Sequence, residues 1–564
     1  MAGRRRRRPA GASVPRPARQ RRRAVPARPS QGHVQDPPGA GAPPAQREPV
    51  AQLTSSGAAT ADRPFPPGAY PVVVVGSGPG GLQLSYALDR LGVRHAVISA
   101  DDAPGGMFRR WPFFQRLLSW TKPFAPAEHG TRRYERYDWN SLVADEPQHR
   151  ALAPRFMDGT SYFPSRAEME QNLVEFATAT GIRVRYGCRW TATRAQEDGH
   201  GNRFVLETTD GEYRCATAVF AVGIAEPFIP STPGFEHVGQ YGDTRPAETY
   251  AGRRVFIVGK QVSAFELASG LLPWARQLVL ASPSPVKLSV NTRSLVGVRA
   301  RYVQPYEDYV LGGGVSLLDA AIDGIERLPT GSLVVRARRT DGGRDVVLEV
   351  DDIISATGFV APLLDLPALG VVTQGHSGVP AQTPFWESQT VPGIRFAGTL
   401  TQGSVGLRKH GLPANSGAVH GARYNALVLA RRLATSLGIE PPAGQVLSPD
   451  ALLDRLVGEL QESPELWHQK AYLAWVATVD PGGGFRDEGI QPLAHVLDAG
   501  GPDAVILTLE ADGSGAIYPV VYVRQGGSVQ ERTLQPDPFL DFGGPEHRTE
   551  LAGAIAAVAP GVVV

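Results

Sequence analysis

Cysteine is almost missing from this chain: two residues in 564, Cys188 and Cys215, with no C-x-x-C pair. Neither a disulfide framework nor the vicinal dithiol of a disulfide-exchanging redox centre is expected, and both thiols read as ordinary core or strand residues. Long apolar runs are also lacking. None approaches the ~20 residues of a membrane-spanning helix, so the expectation is a soluble, cytoplasmic protein with no membrane partner. No Ser–His–Asp signature or metal-ligand cluster stands out. Acidic residues are absent from residues 1–30, which hold eleven arginines, so a formal net charge of +2 leaves −9 for the remainder. A segment this rich in Arg, Pro and Ala cannot bury a core and should be disordered. It lacks the apolar stretch of a secretory signal, so export is not expected. Its first reading is a dispensable leader, ahead of an arm for an acidic surface; nucleic acid is not expected as a partner.

The chain is long enough for two or three domains. Pro- and Gly-rich sequence runs to about residue 67. The apolar run 72–75 then reads as a buried parallel strand. It leads directly into Gly76-Ser77-Gly78-Pro79-Gly80-Gly81 and a helical pattern over 82–91. The G-x-G-x-x-G spacing falls on Gly76, Gly78 and Gly81. These glycines turn the chain, let a pyrophosphate approach the backbone, and let helix and strand pack closely. The next strand, 95–99, runs into Asp101-Asp102-Ala103-Pro104-Gly105-Gly106-Met107-Phe108. Strand, turn and helix recur over 253–272, with Gly259-Lys260-Gln261-Val262-Ser263-Ala264 at the turn.

Five motifs in this order resemble the flavin-dependent (class B-like) monooxygenase family, over roughly residues 68–435. Gly105-Gly106-Met107-Phe108 is similar to the segment those proteins lay along FAD. The second turn resembles their nicotinamide motif, G-x-G-x-S-A, with Gln261 in place of the middle glycine. Residues 218–223 and 352–359 resemble the strand-ends where the chain crosses between domains, and 391–398 the last flavin-domain strand, followed by a helix over 415–433. The resemblance implies an α/β protein with two Rossmann-like domains: an FAD domain (68–235 and 356–440) with an inserted NAD(P)H domain (236–355). A small C-terminal α/β appendage (441–564) follows, with a helix over 449–461 and strands over 504–509 and 516–523. FAD would be held by Gly76, Ser77, Gly78, Pro79, Gly80, Gly81, Ser99, Asp101, Gly105, Gly106, Met107, Trp120 and Gly398. NADPH or NADH would be held by Gly259, Lys260, Gln261, Val262, Ser263 and Ala264. Ser99 stands where the family carries a ribose-binding Glu, with Asp101 two residues on; either could take the ribose. Thr399 stands where many relatives carry an Asp. Ser282 and Ser284, not an arginine, follow the strand 278–281, which leaves the choice between NADPH and NADH open.

The chemistry implied is reduction of FAD by NAD(P)H, addition of O2 at flavin C4a, and oxygen transfer to a nucleophilic atom of a small-molecule substrate. No catalytic side chain is assigned, because the flavin carries the reaction. Asp243 occupies the His position of the motif of ketone-oxygenating relatives, which disfavours Baeyer–Villiger chemistry. N-oxygenation fits better, with sulfoxidation, or a flavoprotein whose nicotinamide site has decayed, as alternatives. Lys122, Arg293, Arg301 and Arg408 are candidate substrate residues, with Arg299, Lys409 and His410 beside them. If two or more converge they form a carboxylate clamp. That resembles the amino-acid N-oxygenases, including those that convert aspartate to nitrosuccinate. A homodimer is a possible assembly.

Overall fold

A computed structural model describes residues 63–558, apart from 111–115, 197–200, 293–296, 405 and 407–413. The basic leader, Arg293, Arg408, Lys409 and His410 therefore lie outside the described residues. Three sheets organise the rest. In the first, the strand Gly68–Val75 lies between His95–Ile98 and Gly211–Phe220, parallel to both. Val75 is level with both Ile98 and Phe220, so these strands end together. Ile394–Phe396 adds parallel beyond Gly211–Phe220, while Phe204–Thr208 and Trp190–Ala195 continue antiparallel. The four valines are all buried because both faces are covered. Val72 and Val74 pack on the side of the helices Pro79–Arg90, Arg166–Ala179 and Val419–Ser436; Val73 and Val75 face Trp190, Phe204 and Phe396. Alternation along one strand thus serves two cores.

The chain leaves this sheet after Phe220 and builds the second from Gly239 to Ser355. Arg254–Val258 runs parallel to Gln277–Ser282 and Asp352–Ser355, and the helix Val262–Leu271 follows it. Val315–Arg327 adds parallel to Gln277–Ser282 and is continued antiparallel by Leu333–Arg339 and Asp345–Val350. This is the α/β architecture of two Rossmann-like sheets, one inserted in the other.

The third sheet is larger than the expected appendage. Besides Ala504–Ala511 and Ile517–Gln525 it contains Val446–Leu447, Leu473–Val479, Phe485–Pro492 and Ser528–Thr533, every neighbouring pair antiparallel. The helices Pro449–Glu462 and Pro545–Val558 cover one face and Leu493–Asp498 the other. It is docked on loops of the first fold and on the helix Val419–Ser436 by buried and part-buried polar contacts. Arg132 donates to Glu459 at 2.8 Å and to Glu465 at 2.9 Å, Gln469 donates to Asn425 at 2.6 Å, and Trp386 donates to the Tyr472 hydroxyl at 2.8 Å. Among the described residues, no helix is long and apolar enough to cross a membrane.

Candidate functional site

The carboxyl ends of the first sheet's parallel strands open into a cavity of about 430 Å³, the place where open α/β sheets bind ligands. Gly76, Ser77, Gly78, Pro79 and Gly80 line it, with Ser99, Asp101, Gly105, Gly106, Met107 and Gly398. Gly78 caps the helix Pro79–Arg90 without any side-chain bond, so the first N–H groups of the helix remain available to an anion. A Cβ on Gly78 would meet nothing within 4 Å, so its open side is the cavity. Gly80 is different: a Cβ there would lie 2.3 Å from the Gly398 Cα, because two backbones cross at the cradle's floor. Gly81 does not line the cavity. Its missing Cβ lets the helix sit against the strand end, where the Gly76 carbonyl would otherwise be 2.0 Å away.

At the ribose end the two candidates act together. The Ser77 hydroxyl donates to Ser99 Oγ at 2.8 Å, Ser99 Oγ donates to Asp101 at 3.3 Å, and the Asp101 N–H donates back to Ser99 Oγ at 3.2 Å. Ser99 is thereby held inside the fold, and the Asp101 carboxylate is presented at the cavity. Thr399 lines the same cavity, and its buried Oγ1 has no hydrogen-bond partner. An orphaned hydroxyl beside glycine backbones and a bare helix terminus suits a dinucleotide with a polyol chain. The residues present fit FAD.

Trp120 is not among the residues lining the cavity. Its ring lies 3.7 Å from Trp139, which in turn lies 4.1 Å from His420. Asp138 fixes this wall, accepting from the Thr121 hydroxyl at 2.7 Å and from the N–H groups of Asn140 and Ser141 at 3.1 Å. His420 sits on the helix Val419–Ser436, where Val419, Ala422 and Arg423 line the cavity, so wall and cradle meet on one helical turn. Arg423 is buried and donates to the carbonyls of Ser141 at 2.6 Å and Glu135 at 3.0 Å. Burial pushes the Glu135 carboxyl up, against the pull of Arg423 and Arg150, while the Tyr424 hydroxyl donates to it at 2.7 Å. His468, from the C-terminal sheet's approach segment, lies 4.9 Å from His420. Burial, reinforced by neighbouring positive charge, holds both imidazoles well below their ordinary range, so both are neutral. Trp139, His420, Arg423 and His468 escaped the sequence reading: they belong to no motif, and one of them lies in the appendage.

The expected cation clamp is not assembled by the described residues. Lys122 is exposed, and Arg301 lies over the Phe163 ring at 5.0 Å; no contact joins the two.

In the second sheet, Gly259 turns the chain with a φ of +130° and Gln261 caps the helix Val262–Leu271 without a side-chain bond. Gln261 is exposed at the helix terminus, where the equivalent residue of the first turn is Gly78. Val262 and Ser263 are half-buried in the first helical turn, and Ala264 is buried against the strands. Lys260 takes another direction. Its side chain is fully buried and pairs with Asp319 of the strand Val315–Arg327, level with Ser282. The turn and helix terminus fit a nicotinamide dinucleotide, with Lys260 serving the fold beneath it.

Residues 73–398 match the family model described as pyridine nucleotide-disulphide oxidoreductase. A FAD-dependent oxidoreductase domain-containing protein 2 from Mus musculus is 34% identical over 239 residues, which is 40% of this chain and 34% of the mouse protein. The chain thus matches about a third of the length of that relative. Two solved structures share the fold at a TM-score of 0.50: a bacillithiol disulfide reductase from Bacillus cereus and a cadaverine monooxygenase from Erwinia amylovora. The first is 19% identical, covering 65% of this chain and 100% of its own; the second is 15% identical, covering 66% and 96%. Cys188 and Cys215 are both buried and free, and neither lines the cavity. The chain belongs to the pyridine nucleotide-disulphide oxidoreductase family, and FAD and NAD(P)H are the cofactors of its two dinucleotide folds.

Proposed function

We propose that this chain is an NAD(P)H-driven flavoprotein monooxygenase that N-oxygenates a small carboxylate-bearing amine, an amino acid such as L-aspartate. The observation that carries this reading is the end of the cradle. The Val419–Arg423 turn abuts an aromatic wall of Trp120, Trp139 and His420, and neither of the chain's two cysteines lies there. A disulfide-exchanging enzyme needs a thiol at that place, whereas an oxygenating one needs a site that excludes water. Bound FAD, reduced by NAD(P)H, supplies the activation of O2.

The protein's own residues bind, orient and dry. The N–H groups at the start of Pro79–Arg90 hold the pyrophosphate, Asp101 the ribose, and Thr399 the polyol chain. Arg423 fixes the wall to the cradle through two carbonyls. Trp139, wedged between Trp120 and His420, keeps water from the reacting end. His420 and His468, neutral and buried, add hydrogen-bonding capacity without charge.

The test is to follow NADH and NADPH oxidation by the flavin-loaded protein while amino acids, L-aspartate included, are screened with product mass as readout. The expected result is oxidation stimulated by one amine and a product heavier by oxygen. Nicotinamide oxidation that yields only hydrogen peroxide with every amine would overturn the reading.

A further inference from the structure

Both cradles of this chain are built in the same register. The Gly76 N–H donates to the Ile98 carbonyl at 2.8 Å, and the Gly259 N–H to the Ala281 carbonyl at 2.7 Å. Val75 is level with Ile98 and Val258 with Ala281, so Ser99 and Ser282, each the next residue, are equivalent. In the first cradle the residue after the turn glycine, Ser77, donates to Ser99 Oγ, and the Asp101 carboxylate accepts from Ser99 at the ribose end. In the second, Lys260 follows the turn glycine. It bonds to Asp319, whose register partner on the parallel strand is Ser282. A serine with a carboxylate beside it thus marks the same corner of both cradles. The acid lies two residues past the serine in the first cradle and on the neighbouring strand Val315–Arg327 in the second.

The polar groups at this corner of the second cradle leave acceptors to a ligand. Ser282 Oγ donates to the Ser284 carbonyl at 3.1 Å, the Thr340 hydroxyl to the Pro283 carbonyl at 2.8 Å, and the Thr340 N–H to the Asp319 carbonyl at 2.8 Å. The nearby cations are engaged as well. Lys260 is fully buried and takes Asp319 Oδ1, while the Asp319 side chain is 31% exposed and its Oδ2 has no hydrogen-bond partner among the described residues. The pair therefore shows its carboxylate, not its ammonium, to a ligand. Arg339, next to Thr340, grips Asp341 with two nitrogens, Nε at 2.8 Å. A 2′-phosphate brings only acceptors and further negative charge to such a corner. A free 2′,3′-diol brings hydroxyl donors, which a carboxylate at the ribose end of a dinucleotide fold accepts.

We infer that Asp319 is the ribose-recognising residue of the second cradle and that the chain takes NADH in preference to NADPH. Lys260 is a positioning residue, holding the carboxylate at the corner from inside the fold. The inference rests on the nicotinamide half of the proposed function and not on the amine.

Calorimetric titration of the oxidised, flavin-loaded full chain with NAD+ and with NADP+ tests it. NAD+ is expected to bind at least about tenfold more tightly. Asp319→Asn keeps the side chain's size and removes its charge, and should shrink that ratio about tenfold, mainly through tighter binding of NADP+. Because this change strands a buried lysine without its acid, the double variant Lys260→Met with Asp319→Asn repeats the measurement with no charge left inside. Flavin content and thermal midpoint report whether each variant is folded. NADP+ binding as tightly as NAD+ to the wild type overturns the inference, whether Lys287, exposed on the loop after Ser282, or another cation is the cause. So does a ratio unchanged in the double variant, or binding of neither dinucleotide. Selective binding of NAD+ with only hydrogen peroxide as product would leave the inference standing and sink the oxygenase reading. An oxygenated amine from a protein that binds NADP+ as well as NAD+ would do the reverse.

Discussion

Glu266 offers the sharpest test of the interior electrostatics. It projects from the helix Val262–Leu271 into the nucleotide fold, where the Tyr302 hydroxyl donates to it at 2.9 Å and the Tyr241 hydroxyl at 3.2 Å. Burial raises its carboxyl from 4.5 to about 8, and the two tyrosine hydroxyls and Arg301 offset only part of that. The native state therefore prefers the protonated acid, while the unfolded chain ionises near the ordinary value. A group whose native pKa is raised gives stability that is fully present below the unfolded value and lost as pH rises through the native one. Between pH 4.5 and pH 8 the loss is on the order of 5 kcal/mol. Glu266→Gln keeps a neutral side chain of the same shape and removes this titration. Urea unfolding of both proteins at pH 5, 7 and 9 should show near-equal stability at pH 5 and a variant more stable by several kcal/mol at pH 9. A difference that stays constant across the three pH values would refute a protonated Glu266.

Gly80→Ala should reduce flavin occupancy about tenfold or more, because its Cβ would sit 2.3 Å from the Gly398 backbone; the flavin-to-protein absorbance ratio of the purified variant checks this. Arg132→Met should destabilise the docked C-terminal sheet by about 3 kcal/mol. It leaves Glu465 without its cation while Glu459 keeps Arg455 at 3.1 Å; urea midpoints and limited proteolysis between the helix Val419–Ser436 and the third sheet would report it. Gln261→Gly should lower the KM for the nicotinamide by about threefold, since it clears the helix terminus where a pyrophosphate lands. An unchanged KM would mean that the glutamine already lies clear of it.

The sequence announced the cradle because a dinucleotide is bound largely by backbone, and backbone requirements are written as glycines. Gly80 and Gly81 are glycines for steric reasons that no side chain can meet, so the pattern survives without any knowledge of the partner strands. The four buried valines were legible for a similar reason: a strand covered on both faces needs an unbroken apolar run. The strand Phe485–Pro492 was not legible. Its sequence, FRDEGIQP, places charges and a glycine where a strand signal should be, and it forms because it lies between Leu473–Val479 and Val446–Leu447.

Trp139, His420 and His468 were illegible on different grounds. Convergence is a property of three dimensions, and these three rings meet from separate stretches of the chain: Trp139 lies 4.1 Å from His420 and 5.7 Å from His468. Lys122 and Arg301 stand close to the motifs along the chain but are exposed or cover an aromatic ring. Most arginines of this chain that are described have a carboxylate within reach, such as Arg185 with Asp210 at 2.7 Å and Arg254 with Asp351 at 2.7 Å. Such pairs are settled within the fold and have little left to offer a ligand.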